Sequence, residues 1–563
     1  MIDRPIIECV PNFSEGRDTQ VLDQIAAVIK EVEGVSLLDV DPGKATNRTV
    51  VTFVGEPEPV IEAAYRAIAK ASELIDMSKH SGEHPRMGAT DVCPLIPISN
   101  ISMEEVSEYA HKLAKRVGNE LNIPIYMYES AATKPEWKNL ATVRSGEYEA
   151  LPDKLKKEEW KPDYGPAVFN AKAGATAIGA RDFLIAYNVN LNTTSSRRAN
   201  SVAFDVREQG RIKRKGDPIT GEVVKDAEGN PERIPGACKA VKGIGWFIEE
   251  YGVAQVSMNI TDTKVSPLHK VFEACRESAN KRGMRVTGSE LVGLVPLKVM
   301  LDAGRYFLEQ QQRSTGVAEE EIIKIAVKSM GLDELTPFDP KKKIIEYQLN
   351  ALREAPLVKM DLRSFANETA SESVAPGGGS ISAYVGALGA ALSGMVANLS
   401  SHKRGWDDRW AEFSAYAEKA QSVKDTLLYL VDEDTQAFNE ILNAFRLPKG
   451  TDEEKATRKK AIQDATKFAI EVPLQVMRES MKIFELAEDM VIKGNPNSVT
   501  DAAVGALCAR AAVYGAYLNV KINTASYDDK DYVDEVLSEC SETLQKAIDA
   551  ESTIMSICQQ KME

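Results

Sequence analysis

The stretch PIIECVPNFSEGRDTQVLDQIAAVIKEVEGVSLLDV, residues 5–40, decides how the front of this chain folds. Its first apolar run, residues 5–10, predicts a β-strand, and residues 35–40 predict another. Between them, residues 18–33 carry apolar side chains at the spacing of an amphipathic helix. A strand, a helix and a second strand in this order predict an α+β sandwich, with helices on one face of a sheet.

The same alternation continues through the front half of the chain. The next predicted elements are strands at 48–54 and 123–128 and helices at 57–75 and 102–121. A second α/β unit begins near Arg181, with a predicted strand at 183–190. Residues 212–236 are rich in glycine, proline and charge, which predicts a surface hairpin or loop insertion. The front half is therefore predicted to be two α/β sandwich subdomains, residues 1–183 and 184–349.

Strand signals almost disappear behind a predicted linker at residues 350–358. Long helical patterns follow instead, at 380–401, 405–446, 452–493, 499–523 and 528–561. Short polar turns with glycine or proline separate them, so residues 359–563 are predicted to form an all-α helical bundle domain. Pro473 is expected to kink or end the third helix, because proline has no amide hydrogen to donate.

Composition narrows the class of protein before any motif is considered. Of the 563 residues, 43% are hydrophobic and 27% charged, and the net charge is −15. This charge argues against nucleic acid as a partner, because phosphate binding needs a basic surface. There is no run of eighteen apolar residues, so we expect no membrane span. The seven cysteines form no CxxC pair and the first residues lack a signal-peptide core, so a cytoplasmic protein with reduced thiols is expected.

The richest front motif is KHSGEHPRMG, residues 79–88. Histidine titrates near neutral pH, so His80 and His84 are natural candidates for a general acid/base. Their four-residue spacing would suit zinc on a helix. Gly82 and Pro85 make a continuous helix improbable at this point, and no spaced carboxylate or cysteine completes a site. We therefore expect no metal, and a plain surface loop is the alternative to a catalytic motif.

A second front motif is the glycine-bounded loop at residues 165–174. It offers the aromatic ring of Phe169, the amide of Asn170 and the cation of Lys172, which could together hold a flat heterocycle with an acidic tail. A plain loop is the alternative. The candidate binding residues are Gly165, Pro166, Ala167, Val168, Phe169, Asn170, Ala171, Lys172, Ala173 and Gly174.

In the rear half, the run APGGGS at residues 375–380 comes immediately before a predicted helix. Glycines allow backbone N–H groups to face a ligand, and the start of a helix favours negative charge. Gly377, Gly378 and Gly379 are therefore candidate binding residues, with a flexible hinge as the alternative. The run matches neither a phosphate-binding loop of the GKS/T type nor a dinucleotide fingerprint.

Asp434 lies in VDEDTQAF, residues 431–438, on the second predicted bundle helix. It falls on the apolar stripe that contains Val431 and Phe438, which is expected to face inward. A charged carboxyl group is costly in a buried position, so its pKa should rise, as it does in neutral-pH acid/base catalysis. The two acidic residues just before it fit a solvated flank. A buried hydrogen-bonding role is the alternative for Asp434.

These motifs make the sequence similar to the formimidoyltransferase-cyclodeaminase family, and the matching stretches cover nearly the whole chain. In chain order they are ECVPNFSEGR (8–17), LLDVD (37–41), TNRTV (46–50), IDMSKHSGEHPRMGATDVCP (75–94), GEYEALP (146–152), VREQGR (206–211), GIGWFIEE (243–250), LVGLVPL (291–297), APGGGS (375–380), VDEDTQAF (431–438) and RLPKGTDEEK (446–455). Residues 212–236 depart from the pattern, because this stretch looks longer than the family form.

The resemblance implies a bifunctional folate enzyme of histidine degradation. The front module would transfer the formimino group from N-formimino-L-glutamate to N5 of tetrahydrofolate. The rear module would cyclise 5-formiminotetrahydrofolate to 5,10-methenyltetrahydrofolate and release ammonia. By the same resemblance, His84 is the transferase acid/base, residues 165–174 bind folate, and Asp434 is the cyclodeaminase carboxylate. It further implies a polyglutamylated tetrahydrofolate as co-substrate and a homo-octamer built as a tetramer of dimers.

Two arginines near the front motif are expected to bind substrate. Arg48 and Arg86 could hold carboxylates of formiminoglutamate or folate through bidentate contacts. Two other functions stay open at this point. The rear module could act as a methenyltetrahydrofolate cyclohydrolase on a closely related substrate, or the whole chain could be a non-catalytic folate-binding scaffold.

Overall fold

The structure, a computed structural model, describes residues 5–43, 47–82, 85–216, 220–352 and 356–563. The chain forms two compact units. The sheet unit comprises Ile2–Met300 and Met330–Leu352, and the helical unit comprises Leu301–Ser329 and Arg353–Glu563. All strands of the described residues lie in the front of the chain and helices alone follow, which confirms the predicted fold class. The exact domain limits stay predictions.

The first sheet of the sheet unit is mixed in direction. Within the described residues its seven strands are β1 (Ile6–Cys9), β2 (Asn12–Phe13), β3 (Val35–Gly43), β4 (Arg48–Gly55), β5 (Thr90–Ser99), β6 (Ile125–Glu129) and β7 (Thr176–Ala180). β1 and β2 follow one another between β4 and β5 and are antiparallel to both. β7 lies between β5 and β6 and is parallel to both.

Three long helices cover one face of this sheet: α1 (Thr19–Lys30), α2 (Pro57–Leu74) and α3 (Met103–Leu121). Side chains alternate between the two faces of a strand. Ile7 and Cys9 of β1 therefore point to the same face, where they pack with Ile25 and Ile29 of α1 in one buried cluster. Glu8 between them points to the other face and is also buried.

The other face of the sheet is covered at its β5–β7–β6 end, so the prediction of helices on one face is wrong there. The covering helices are α4 (Leu140–Val143) and α5 (Glu147–Lys154). Val143 and Leu151 pack with Tyr126 and Trp137 in a second buried cluster. Helices of four and eight residues are too short to produce the periodic pattern on which helix prediction depends.

The remaining strands among the described residues are β8 (Ile185–Leu191), β9 (Arg211–Ile212), β10 (Arg233–Ile234), β11 (Val241–Ile248), β12 (Val253–Ile260) and β13 (Val286–Val292). Four of them form a second, fully antiparallel sheet with the strand order β11-β12-β8-β13. The helices that follow α5 are α6 (Ser196–Val206), α7 (Leu268–Asn280), α8 (Leu297–Gln310), α9 (Glu319–Met330), α10 (Pro340–Lys343) and α11 (Ile345–Leu352). Glycine lets β11 approach α6 closely, because a Cβ on Gly245 would overlap the backbone of Ala199 and Asn200.

The predicted insertion at 212–236 is an exposed hairpin, as expected. β9 and β10 pair antiparallel at its base. Isolated bridges between Arg214 and Val223 and between Lys225 and Pro231 continue the pairing, outside the undescribed residues 217–219.

The bundle of the helical unit contains α12 (Leu362–Thr369), α13 (Gly378–Ser401), α14 (Trp410–Arg446), α15 (Asp452–Lys493), α16 (Val499–Thr524) and α17 (Lys530–Met562). Small residues bring α13 and α16 together, since a Cβ on Gly389 would lie only 2.8 Å from the carbonyl oxygen of Gly505. Pro473 lies inside α15, which continues for another twenty residues, so the expectation that it could end the helix is wrong.

In the part of the chain that the structure describes, two helical segments are long and apolar enough to cross a membrane by length and composition: Gly378–Ser401 and Pro496–Thr524. Both are partly buried inside the bundle. Core helices of globular proteins pass the same test, so these two segments are weak indications of a membrane span.

Candidate active sites

The front motif at residues 79–88 follows a short turn of 3₁₀ helix, Met77–Lys79, and leads into β5. His84 and its neighbour Glu83 lie outside the described residues, so the assignment of His84 stays a prediction. The residues on either side are held in place by contacts of His80 and Arg86.

Arg86 uses all five of its N–H groups within the protein. Its two terminal nitrogens donate to the carboxylate of Glu149 at 2.7 and 2.9 Å, and Nη1 also donates to Glu147 at 3.1 Å. Nε donates to Nδ1 of His80 at 3.3 Å, and Nη2 to the backbone oxygen of His80 at 3.4 Å. A substrate carboxylate would therefore have to replace Glu149, which is 64% exposed.

The contacts of His80 determine which ring nitrogen carries the proton. Nδ1 accepts a hydrogen bond from Arg86, so the proton lies on Nε2, which is 2.9 Å from the backbone oxygen of Asn47. Both ring nitrogens are thus engaged. This histidine ties the motif to the residues before β4, and proton transfer would require one of these hydrogen bonds to break.

Arg48, the second predicted carboxylate ligand, is paired with the fully buried Asp91 at 2.6 Å. The same carboxylate accepts a hydrogen bond from Arg144 at 2.8 Å and, through its other oxygen, from the backbone N–H of Met87 at 3.0 Å. Burial lowers the pKa of Arg48, and the attraction of Asp91 opposes this effect. The structure therefore makes Arg48 part of a buried framework that holds the end of the motif.

The structure brings the loop at 165–174 against the front motif. The backbone of Gly174 faces that of Gly88, and Ala89 N–H donates to the oxygen of Ala173 at 2.8 Å. Gly174 has φ +68°, and a Cβ there would overlap the oxygen of Met87, so this close approach requires glycine. The loop and the motif, far apart in sequence, thus pack directly against each other through buried backbone.

Within the loop, polar groups largely hold the backbone. Asn170 Oδ1 accepts from the N–H of Ala173 at 2.9 Å, and Lys172 Nζ donates to the backbone oxygen of Glu73 at 2.6 Å. The Val168 side chain is exposed and the Phe169 ring is half-buried. Ligand contacts by these ten residues stay predictions.

Sequence reasoning assigned no role to the residues at 147–149, although GEYEALP was among the matching stretches. Besides the two glutamates on Arg86, Tyr148 donates from its hydroxyl to the oxygen of Ala171 at 2.6 Å. Its ring lies 5.4 Å from that of Phe169. These residues connect the front motif to the loop. Their alternating acidic and aromatic side chains were the feature of the sequence that could have indicated this role.

The rear site lies where α14 passes the first turn of α13. Asp434 Oδ2 accepts hydrogen bonds from the backbone N–H of Ser380 at 2.8 Å and from its hydroxyl at 3.0 Å. Thr435 lies beside them, with its hydroxyl 3.5 Å from that of Ser380. Burial raises the pKa of Asp434, and the hydrogen bonds from Ser380 oppose the increase. The expected rise in pKa is confirmed in direction.

The three glycines at this helix end have different surroundings. A Cβ on Gly379 would overlap the Asp434 carboxylate, and a Cβ on Gly378 would lie 3.3 Å from Nδ2 of Asn519. A Cβ on Gly377 would meet nothing within 4 Å. The run is therefore more than a hinge, because at least one glycine is needed for the carboxylate to reach the helix.

The two acidic residues before Asp434 are buried, so the prediction of a solvated flank is wrong. Asp432 is 6% exposed and accepts from the backbone N–H groups of Leu357 and Val358 at 2.9 and 3.3 Å. Glu433 is 9% exposed. Phe438, which was expected to face inward with Val431, is 41% exposed, so the apolar stripe of this helix is not buried at that position. The partner segment at 357–358 is distant in sequence, which is why helix periodicity alone missed it.

Among the residues that the structure describes, no group of three or more His, Cys, Asp or Glu side chains is arranged to hold a metal ion.

Family models match the chain in three consecutive stretches. The formiminotransferase domain, N-terminal subdomain, matches residues 6–181, the formiminotransferase domain matches 186–350, and formiminotransferase-cyclodeaminase matches 361–542. The chain belongs to the formiminotransferase-cyclodeaminase family. One relative matches both the sheet-containing and the helical part of this chain. The formimidoyltransferase-cyclodeaminase of Mus musculus is 43% identical to it over 543 residues, which cover 96% of each chain.

Shorter relatives each match one part of the present chain. The glutamate formimidoyltransferase of Streptococcus pyogenes serotype M1 is 42% identical over 304 residues, 54% of this chain and 93% of its own. The methenyltetrahydrofolate cyclohydrolase of Methylorubrum extorquens is 39% identical over 186 residues, 33% of this chain and 89% of its own. The two parts of the family's chain thus also occur as separate proteins.

Proposed function

We propose that this chain is a bifunctional folate enzyme that transfers a formimino group from N-formimino-L-glutamate to N5 of tetrahydrofolate and then cyclises the product to 5,10-methenyltetrahydrofolate with release of ammonia. The observation that carries the proposal is the 96% coverage by a 43% identical formimidoyltransferase-cyclodeaminase. Tetrahydrofolate, in polyglutamylated form, is the proposed co-substrate.

In the transfer step, N5 of tetrahydrofolate attacks the formimino carbon and loses its proton, while the bond from that carbon to the glutamate nitrogen breaks. The glutamate nitrogen takes up a proton as it leaves. One histidine can accept the first proton and donate the second. We assign this role to His84, with the Arg86–Glu149 pair and His80 positioning the segment around it.

The predicted carboxylate-binding roles of Arg48 and Arg86 differ in what the geometry supports. Arg48 is buried against Asp91, which favours a positioning role. Arg86 is buried to a similar extent, but its bidentate partner Glu149 is exposed, whereas Asp91 is not. A substrate carboxylate could exchange with Glu149 at little electrostatic cost, since one carboxylate would replace another on the same guanidinium.

In the second step, N10 attacks the formimino carbon of 5-formiminotetrahydrofolate, and the bond from this carbon to the terminal nitrogen breaks. The substrate reacts in its protonated formiminium form, so the terminal nitrogen already carries two hydrogens. It gains a third as N10 loses its proton and leaves as ammonia, while the methenyl product keeps the positive charge. Protonated Asp434 is suited to donate a proton to the departing nitrogen and then to accept the N10 proton, because burial raises its pKa and Ser380 orients one carboxylate oxygen, Oδ2. Among the described residues, Oδ1 accepts no hydrogen bond and is available to the substrate.

A methenyltetrahydrofolate cyclohydrolase activity of the helical unit is the second candidate, and the relative from Methylorubrum extorquens favours it. The two activities differ in whether ammonia is released. We expect purified protein supplied with 5-formiminotetrahydrofolate to release one ammonia for each methenyl group, followed by absorbance. Methenyl formation without matching ammonia would contradict the cyclodeaminase proposal. Folate binding without either product would support a scaffold.

The proposed assembly is a homo-octamer built as a tetramer of dimers, in the cytoplasm. Exposed apolar side chains on the bundle support association. Leu388 and Leu399 of α13 and Leu518 and Ile522 of α16 are each more than 40% exposed. Light scattering should give about eight times the 61.7 kDa chain mass, and a monomer at micromolar concentration would contradict the proposal.

A further inference from the structure

Asn519 of α16 reaches the same helix end as Asp434, from a different helix. Gly378 and Gly379 are consecutive residues in the first turn of α13. A Cβ on Gly379 would overlap Asp434, and a Cβ on Gly378 would lie 3.3 Å from Asn519 Nδ2. Adjacent Cα atoms are about 3.8 Å apart, so the carboxylate and the amide are at most about 12 Å apart.

The orientation of the Asn519 amide is determined by its own helix. Nδ2 donates to the backbone oxygen of Gly515 at 2.8 Å. A reversed amide would place Oδ1 against that oxygen, so the reversed form is disfavoured. One N–H and Oδ1 remain, and neither has a further hydrogen-bond partner among the described residues. The side chain is half-buried, so these two groups are accessible to a ligand.

The space at this helix end is open next to Gly377. This residue has φ −99°, which any amino acid can adopt, and a Cβ on it would meet nothing within 4 Å. It also occupies the N-cap position, where Ser or Asp serves the helix at least as well as glycine. The ligand-free fold therefore does not require glycine at position 377, and the space beside it is open to a ligand.

We propose that Asn519 is a positioning residue that binds the amide edge of the pterin ring of folate, formed by the C4 carbonyl and N3–H. The inference rests on the proposed function of the helical unit. Oδ1 accepts from N3–H, and the remaining N–H of Nδ2 donates to the C4 carbonyl. Asp434 then faces the substituent on N5 of the same ring, and the upper limit of about 12 Å between the two side chains allows both to contact one pterin.

This pairing predicts selectivity between oxo and amino pteridines. A 4-amino analogue carries a donor where the C4 carbonyl accepts, and its N3 is an acceptor. Gly515 prevents the Asn519 amide from reversing to match it. The helical unit should therefore prefer the 4-oxo form, by about tenfold for the two mismatched hydrogen bonds.

The test uses the full chain, which catalyses ammonia release from added 5-formiminotetrahydrofolate, and measures how strongly each probe inhibits this reaction. Ammonia release reports on the site of the helical unit alone. The probes are 5-formyltetrahydrofolate and its 4-amino counterpart. Wild-type protein should have a roughly tenfold lower inhibition constant for the 4-oxo probe. Asn519→Asp keeps the size but offers acceptors only, so each probe then has one matched and one mismatched group and the ratio should fall towards one. Asn519→Ala should bring the ratio close to one, with kcat changing less than KM.

Asn523 supplies a matched control on the same helix, where Nδ2 donates to the backbone oxygen of Ala469 at 2.6 Å. Asn523→Ala should leave the ratio at its wild-type value. If wild-type protein prefers the 4-amino probe, that result alone overturns the role of Asn519. An unchanged ratio in folded Asn519→Asp protein also overturns it. Absence of ammonia release by wild-type protein would instead overturn the proposed function.

Discussion

The front and rear sites place their polar groups by opposite means. In the sheet unit, charges neutralise one another: Arg86 is paired with Glu149 and Arg48 with Asp91. In the helical unit, none of the described ion pairs includes Asp434, whose one engaged oxygen accepts from Ser380. The front site should thus depend on charge pairing, and the rear site on burial and close backbone approach.

The largest effect is expected at Asp434. Asp434→Asn keeps the shape of the side chain but removes the proton that the departing nitrogen needs. Ammonia release should fall at least 100-fold, in the range that removal of a general acid produces. Formimino transfer, measured separately, should stay within twofold of wild type. Comparable loss of both reactions would show that the variant disturbs more than the rear chemistry.

Gly379 and Gly377 test the role of close approach. A Cβ on Gly379 would overlap Asp434, so Gly379→Ala should cost about 1–3 kcal/mol of stability or displace the carboxylate. Ammonia release should fall by at least tenfold. Gly377→Ser keeps a favourable N-cap residue and meets open space in the free protein, so it should melt like wild type, yet raise KM for 5-formiminotetrahydrofolate. Equal behaviour of the two variants in both assays would mean that the run acts as a hinge.

The sheet unit also contains a buried carboxyl group, that of Glu8, which can be compared with Asp434 of the helical unit. Burial raises the pKa of Glu8 from 4.5 to about 8, and its Oε2 has no hydrogen-bond partner. In the unfolded chain Glu8 ionises near 4.5 while the folded form stays neutral up to about 8. The stability contributed by the neutral form is therefore fully present below pH 4.5 and is lost as pH rises to 8.

Glu8→Gln should remove this pH dependence, whose slope is at most about 1.4 kcal/mol per pH unit. Hydrogen exchange of the β1 amides measures it locally, without assuming that the two units unfold together. Protection that falls between pH 5 and 8 in wild type and stays flat in Glu8→Gln is the expected result. The same slope in both proteins would contradict it.

The smallest effect is a shift in the pH profile of ammonia release. Asp434 acts as an acid only when protonated, so the rate should decline as pH rises through its elevated pKa. The hydrogen bonds from Ser380 lower that pKa, hence Ser380→Ala should move the declining limb to higher pH. Thr435→Val, a matched change beside the carboxylate, should move it less. A limb that moves to lower pH would contradict this electrostatic explanation.

Local patterns predicted much of the fold, because long amphipathic helices and alternating strands carry strong signals. The bundle helices and the hairpin at 212–236 are examples. The short helices of α4 and α5 were missed because they have too few residues to show a period. Asp434 was found because a carboxyl group on an apolar stripe is unusual, which is visible within one helix.

Partners from distant segments were not predictable in this way. Asp432 was placed on a solvated flank, yet it binds the backbone at 357–358. Glu149 on Arg86 and Asn519 beside Gly378 likewise depend on pairs of segments that meet only in the folded chain. Sequence periodicity reports the face on which a residue lies, whereas the identity of its neighbour depends on tertiary packing.

The most direct test of the central claim, one acid/base group in each module, is to measure both half-reactions in His84→Ala protein. Formimino transfer from N-formimino-L-glutamate should fall at least 100-fold, as expected when a general acid/base is removed. Ammonia release from added 5-formiminotetrahydrofolate should stay at the wild-type rate. Retention of transfer, or loss of both half-reactions in a protein that melts like wild type, would contradict the division of chemistry between His84 and Asp434.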